Sequence, residues 1–215
     1  MIVLVASACG ASSPTAAQAP LVPVENAATE RTDAMIDFDD TGMESIVLGG
    51  GCFWCVEAAM EELPGVREAL SGYAGGSRRN PSYEQVSTGL TGHAEVVRVS
   101  FDPALIGLDH ILDLFFEIHD PTTEDRQGAD RGTQYRSIIL YRGEGQRKSA
   151  EAAIARAASR YRDPVVTELG ELGDFWPAEE YHQDFFRKNP DYGYCQVVVA
   201  PKVRKAESFV DKLGK

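Results

Sequence analysis

Cysteine and histidine are scarce in this chain, four of each in 215 residues, and their spacing argues against a structural zinc cage. There is one Cys-x-x-Cys, Cys52 and Cys55, with no second copy, and His93, His110, His119 and His182 form no pair at metal-ligand spacing. Nucleotide signatures are missing too: no Gly-x-Gly-x-x-Gly follows an apolar run and no glycine-rich loop ends in Gly-Lys. Basic residues are outnumbered, 21 Lys and Arg against 33 Asp and Glu, and a net charge of -12 speaks against nucleic acid, whose phosphates need clustered cations. No segment reaches the ~20 apolar residues of a membrane span, and no fixed-period repeat is present. What remains is a globular composition, 43% hydrophobic, in a chain long enough for one sizeable core.

The first 43 residues read differently from the rest. A short apolar run, MIVLV, leads to small residues and then to an Ala/Pro/Ser/Thr stretch without periodicity, which is the grammar of a secretory leader. Ala6-Ser7-Ala8-Cys9 resembles the lipobox of bacterial lipoproteins, although no basic residue precedes the run and Ala6 stands where that box carries Leu. The resemblance implies a lipid anchor on Cys9 and a place in the cell envelope or periplasm; without export the protein is cytoplasmic. Between Glu25 and Glu44 seven acidic residues face Arg31 alone, about half of the whole net charge, so residues up to 43 are expected to be a leader followed by a disordered acidic linker.

From residue 44 onward, short β-like runs alternate with helix-like stretches. Strands are expected at Ser45–Leu48, Val66–Tyr73, Ala94–Phe101, Gln134–Tyr141 and Val165–Leu169, and the apolar run Tyr194–Ala200 is strand-like. Helices are expected at Phe53–Leu63, Asp109–His119, Glu144–Tyr161 and Ala178–Lys188. Strands separated by helices with short returns give an α+β fold, a two-layer sandwich of a mixed sheet with helices packed over it. The loops Gly72–Pro81 and Asp120–Gly132 are polar and glycine-containing, and loops of such length often carry function.

Cys52 falls at the turn from the first strand into the first helix, directly after Gly49-Gly50-Gly51, whose flexibility permits a tight turn. A thiol at a helix N-terminus feels unpaired amides and the positive end of the helix dipole, which favour thiolate. A thioredoxin-type dithiol usually has Trp before its first cysteine, whereas Trp54 here lies between the two. On these residues alone a reactive thiol, a redox pair and a buried inert pair all stay open.

Companion motifs narrow the choice. Gly-Cys-Phe-Trp at Gly51–Trp54 with Glu57 is followed by Gly-Tyr-Ala-Gly-Gly at Gly72–Gly76 and Asn-Pro-Ser-Tyr at Asn80–Tyr83. Thr-Gly-His-Ala-Glu-Val at Thr91–Val96, His-Asp-Pro at His119–Pro121 and Asp-Arg-Gly-Thr-Gln-Tyr-Arg-Ser at Asp130–Ser137 complete the series. In this order they resemble the A-type peptide methionine sulfoxide reductases, over residues 46–201. The resemblance implies a catalytic domain over 44–201 with a ferredoxin-like core, and leaves 202–215 as a C-terminal tail. It implies that Cys52 attacks the sulfoxide sulfur and becomes a sulfenic acid. Glu95 is then the acid that protonates the departing oxygen; it shares a strand face with Val97, Val99 and Phe101, where desolvation raises a carboxyl pKa. Phe53 and Trp54 wall the S-methyl pocket, Tyr83 and Tyr135 hold the sulfoxide oxygen, and Asp130 helps bind the substrate backbone. Cys195, in Gly-Tyr-Cys, is the resolving thiol, with Cys55 as the alternative. Electrons come from thioredoxin or another dithiol, without a bound cofactor or metal, to a monomer acting on the S-epimer of methionine sulfoxide, free or in proteins. His93, His119 and Glu57 receive no chemical step.

Overall fold

The computed structural model describes residues 42–214; the leader with Cys9 and nearly all of the acidic linker lie outside the described residues. In chain order the elements are β1 (Glu44–Gly50), α1 (Phe53–Met60), β2 (Val66–Ala74), α2 (Tyr83–Ser87), β3 (Ala94–Phe101) and α3 (Leu108–Ile118). The two-residue strands β4 (Arg126–Gln127) and β5 (Asp130–Arg131) follow, then β6 (Ser137–Tyr141), α4 (Gly143–Ala158), β7 (Glu168–Glu171), β8 (Phe175–Pro177), α5 (Phe185–Lys188) and α6 (Ala200–Leu213).

The succession β1–α1–β2–β3–α3–β6 folds into the spatial order β6-β1-β3-β2, antiparallel between all neighbours. This is the ferredoxin-like core. Strand β8 extends it antiparallel beside β2, and β7 joins β6 in parallel, so the six-stranded sheet is mixed. Alternation along the strands separates two apolar faces. Ile46, Leu48, Val97, Val99, Phe101 and Ile139 face the main core with α1, α3, α4 and α6, while Val47, Val96, Ile138 and Leu140 form a smaller cluster on the other face with Phe175. Helix α1 is buried along its whole length, so it is an internal element and needs no polar stripe.

Several elements depart from the sequence expectations. The strand expected from Gln134 begins at Ser137, because Gly132, at φ 136°, opens a 3-10 turn over Thr133–Tyr135. The helix expected over Ala178–Lys188 is broken by Asp184 at φ 54°, leaving a 3-10 turn at Glu180–His182 and the short α5. The strand expected near Val165 is formed by Glu168–Glu171. Most consequential, Tyr194–Ala200 is not a strand: Cys195–Val199 is a π-helical turn running straight into α6. Cys195, Val199, Val203 and Ala206 are all buried there, a four-four-three spacing that is helical. Residues 202–213 therefore pack on the domain as part of α6.

Candidate active site

The site begins with a backbone constraint. Gly51 turns the chain out of β1 at φ 97°, and a Cβ there would stand 2.6 Å from the Gln127 side chain, so only glycine fits without strain. Cys52 is then the N-cap of α1 and Cys55 its third residue. Side chains at N-cap and N3 face one another, and the two thiols are hydrogen-bonded. Cys52 retains 8% of its surface while Cys55 and Cys195 have none, which makes Cys52 the thiol an outside molecule reaches first.

Glu95 enters from β3. It is buried, and its Oε2 accepts the Phe53 N–H at 3.1 Å, capping the helix that Cys52 opens. Burial raises its pKa to about 8, partly opposed by that amide and reinforced by Asp130 and Cys55. The carboxyl is therefore largely protonated at neutral pH. The helix end expected to favour a Cys52 thiolate serves Glu95 instead, and burial pushes the Cys52 thiol well up, with the Cys55 hydrogen bond and the Glu95 and Asp130 charges adding to it. The same hydrogen bond lowers Cys55. The two thiols thus titrate as one system.

Two tyrosines complete the polar side. Tyr83 opens α2 and Tyr135 ends the 3-10 turn; burial raises both hydroxyls, and Glu95 and Cys52 raise each of them further. Both stay protonated, and both lie within electrostatic reach of Glu95 and Cys52. Asp130 on β5 accepts the Tyr194 hydroxyl at 2.7 Å, and burial raises its pKa. The apolar side consists of Phe53 and Trp54, with the Phe53 ring 6.5 Å from Tyr83 and Trp54 edge-on to Tyr194 at 6.0 Å. Trp54 stacks on Phe185 at 3.7 Å. Among the described residues no cluster of His, Cys, Asp or Glu could hold a metal ion.

A partly accessible thiol, a buried protonated carboxyl and two protonated hydroxyls beside an aromatic wall suit the removal of oxygen from an apolar sulfur centre. A family model described as peptide methionine sulfoxide reductase matches residues 44–213. The chain belongs to the peptide methionine sulfoxide reductase family. It is 54% identical over 171 residues to peptide methionine sulfoxide reductase MsrA of Haloquadratum walsbyi, covering 79% of this chain and 98% of that one. It is 49% identical over 173 residues to peptide methionine sulfoxide reductase MsrA 1 of Rhodopirellula baltica, covering 80% of this chain and 90% of that one. Among solved structures, reduced Mxr1 from Saccharomyces cerevisiae superposes with a TM-score of 0.70 at 34% identity, over 74% of this chain and 92% of that one. Methionine sulfoxide reductase A of Corynebacterium diphtheriae gives 0.65 at 38%, over 70% and 77%. The protein is thus an oxidoreductase that returns methionine sulfoxide to methionine, a repair of oxidised side chains.

In this reductase the residues given no chemical step have structural partners. Buried His119 bonds the Phe115 carbonyl through Nδ1 at 2.6 Å and the Ser137 hydroxyl through Nε2 at 2.8 Å, and burial lowers its pKa to about 3, so it stays neutral. His93 accepts the Gly76 amide on Nδ1 at 3.1 Å and donates from Nε2 to the Arg78 carbonyl at 2.7 Å, clamping one loop to another. Buried Glu57 accepts the Ser71 hydroxyl at 3.0 Å.

Other supports escaped the sequence reading. Glu179 accepts the Tyr83 N–H on Oε1 at 3.0 Å and the Tyr73 hydroxyl on Oε2 at 2.8 Å, holding the first turn of α2. Arg136 donates to the carbonyls of Thr133 at 2.9 Å and Gly92 at 3.1 Å, tying the turn that carries Tyr135 to the loop that leads to Glu95. Gln127 packs on Gly51 and bonds both backbone groups of Asp120. None of the three lies at a spacing that a single sequence marks as functional. Tyr194 lies in Gly-Tyr-Cys, where the residue pattern marks only the cysteine.

Proposed function

We propose that the protein reduces the S-epimer of methionine sulfoxide, free or in proteins, through a Cys52 sulfenic acid and a Cys52–Cys55 disulfide that a thioredoxin-type dithiol recycles. Cys52 sulfur attacks the sulfoxide sulfur while Glu95 protonates the oxygen, which Tyr83 and Tyr135 hold as charge develops on it. The oxygen passes to Cys52 as sulfenic acid, methionine leaves, and the thiol proton restores the acid form of Glu95. Cys55 then attacks the sulfenic sulfur and expels water. Two thiols and one sulfoxide become a disulfide, methionine and water, so atoms and electrons balance.

One observation carries this reading: a buried, protonated Glu95 bonded to the same helix end as the one thiol among the described residues that keeps some exposed surface. The N-cap and N3 placement favours Cys55 over Cys195 as the resolving thiol, reversing the order taken from the Gly-Tyr-Cys motif. Cys195 is buried in a helical turn, with its pKa raised by burial to about 11, which disfavours both movement and thiolate. Support for the electron donor comes from Mxr1 of Saccharomyces cerevisiae, which has been solved in complex with Trx2. The aromatic wall suits the S-methyl group, and Asp130, paired with Tyr194, suits a backbone amide of the substrate. Export with a lipid on Cys9 remains part of the proposal, supported by Ala6–Cys9 and the polar linker behind it. The test is non-reducing peptide mapping after one equivalent of S-sulfoxide: a Cys52–Cys55 bridge is expected, and a Cys52–Cys195 bridge would overturn the choice of resolving thiol.

A further inference from the structure

A second hollow adjoins the reaction pocket. It is a cavity of about 550 Å3 between the β4–β5 hairpin, the C-terminal end of α3 and the start of α6, with Ala129, Asp130, Tyr194, Val197, Val198 and Lys202 in its wall. Asp130 and Tyr194 link it to the thiol: they bond each other at 2.7 Å, Tyr194 stands edge-on to Trp54, the Asp130 charge raises Cys52, and Cys52 in turn raises the Tyr194 hydroxyl. A methionine sulfoxide side chain takes the aromatic pocket, and the cavity beyond the Asp130–Tyr194 pair is left over, in the size range of ligand clefts.

Its chemistry is mixed in a specific way. Val197 is a large apolar side chain left 75% exposed at the cavity wall. Three of the other charged side chains there have partners: Asp130 takes the Tyr194 hydroxyl, Asp120 takes both the amide and the hydroxyl of Thr122, and Lys205 donates to the backbone carbonyl of Glu117. Lys202 forms no ion pair or hydrogen bond among the described residues. Its charge already lowers Asp130 and Cys55, so it is a cation with neighbouring acids but without a direct ion pair, in a protein with net charge -12.

We propose that this cavity is a subsite for the polypeptide flanking the oxidised methionine, where Val197 and Val198 receive an apolar surface and Lys202 pairs with a carboxylate one or two residues from the sulfoxide. The inference rests on the reductase reading above and gives that site a sequence preference: oxidised methionines with acidic neighbours are repaired first. An ion pair at a partly exposed site is worth up to about 1 kcal/mol, hence a preference of about fivefold.

The experiment compares first-turnover methionine release from N-acetyl methionine S-sulfoxide methylamide and from acetylated pentapeptides whose central S-sulfoxide is flanked by Asp, Ala or Lys. Comparing flanks within each variant cancels the effect of the Lys202 charge on the coupled Cys52–Cys55 pair. The wild type should favour Asp over Lys flanks about fivefold at low salt, Lys202→Glu should invert that order, and Val197→Asp should lower the Ala-flanked peptide relative to the small amide. Identical flank preferences in wild type and Lys202→Glu, or peptide and small amide changing in parallel in both variants, would overturn the subsite. A wild type unable to reduce the small amide would instead sink the reductase reading itself.

Discussion

Glu95→Gln separates the chemistry of the site from its architecture. The amide keeps the size of the carboxyl and an oxygen for the Phe53 N–H, but carries no acidic proton, so single-turnover sulfoxide reduction should fall by about a hundred- to ten-thousandfold. Stability should move the other way at alkaline pH. A carboxyl whose pKa is raised from 4.5 to about 8 in the folded protein contributes its full stability below 4.5 and loses it as pH rises through 8. For a group this deeply buried the linkage removes about 4 kcal/mol between pH 5 and pH 8.5. Glu57 titrates in both proteins and cancels in the difference. Urea unfolding of wild type and variant at those two pH values should therefore show the wild type losing about 4 kcal/mol more than Glu95→Gln. In the wild type the first-turnover rate should also decline as pH climbs through about 8, and that limb should vanish in the variant. A variant that reduces sulfoxide at the wild-type rate, or that keeps the same alkaline limb, refutes Glu95 as the acid.

Other perturbations give equally specific outcomes. Cys55→Ser should release one methionine per enzyme at the wild-type rate and then stall with Cys52 trapped by a sulfenic-acid reagent, whereas Cys195→Ser should continue to turn over with thioredoxin; steady turnover of Cys55→Ser argues against it as the resolving thiol. Glu179→Ala should slow reduction several-fold in the wild type but add nothing in a Tyr83→Phe background, because it acts by holding the turn that carries Tyr83; additive losses in the double mutant would contradict that role. Gly51→Ala should destabilise by about 2 kcal/mol in denaturant melts, since it combines a φ of 97° with a Cβ 2.6 Å from Gln127; an unchanged midpoint would mean that the hairpin gives way freely.

Legibility in the sequence followed how local each signal was. The strand before Cys52, the helix after it and the strand of Glu95 were readable because apolar periodicity and the Pro64-Gly65 and Asp102-Pro103 stops act within a few residues. The sheet order was not local and came only with the resemblance. Cys195 shows the opposite case: its run of valines reads as a strand by propensity, yet burial at 195, 199, 203 and 206 makes it helical, tertiary packing overriding β-branching. The thiolate expected at Cys52 failed for reasons no sequence displays: burial of the thiol comes first, and Glu95, 42 residues beyond Phe53, takes the Phe53 amide of the helix end. Glu179 and Arg136 escaped because their roles consist of hydrogen bonds to backbone atoms, which leave no pattern in residue types.

The account rests on Cys52 receiving the oxygen of one sulfoxide epimer. Stoichiometric reaction of the dithiol-reduced enzyme with separated S and R epimers, with intact mass of the Cys55→Ser variant read at the end of the first turnover, tests this directly. The prediction is one methionine per enzyme from the S-epimer, one added oxygen located on Cys52, and no product from the R-epimer or from Cys52→Ser. Methionine formed by Cys52→Ser, or equal reaction of both epimers, would contradict it.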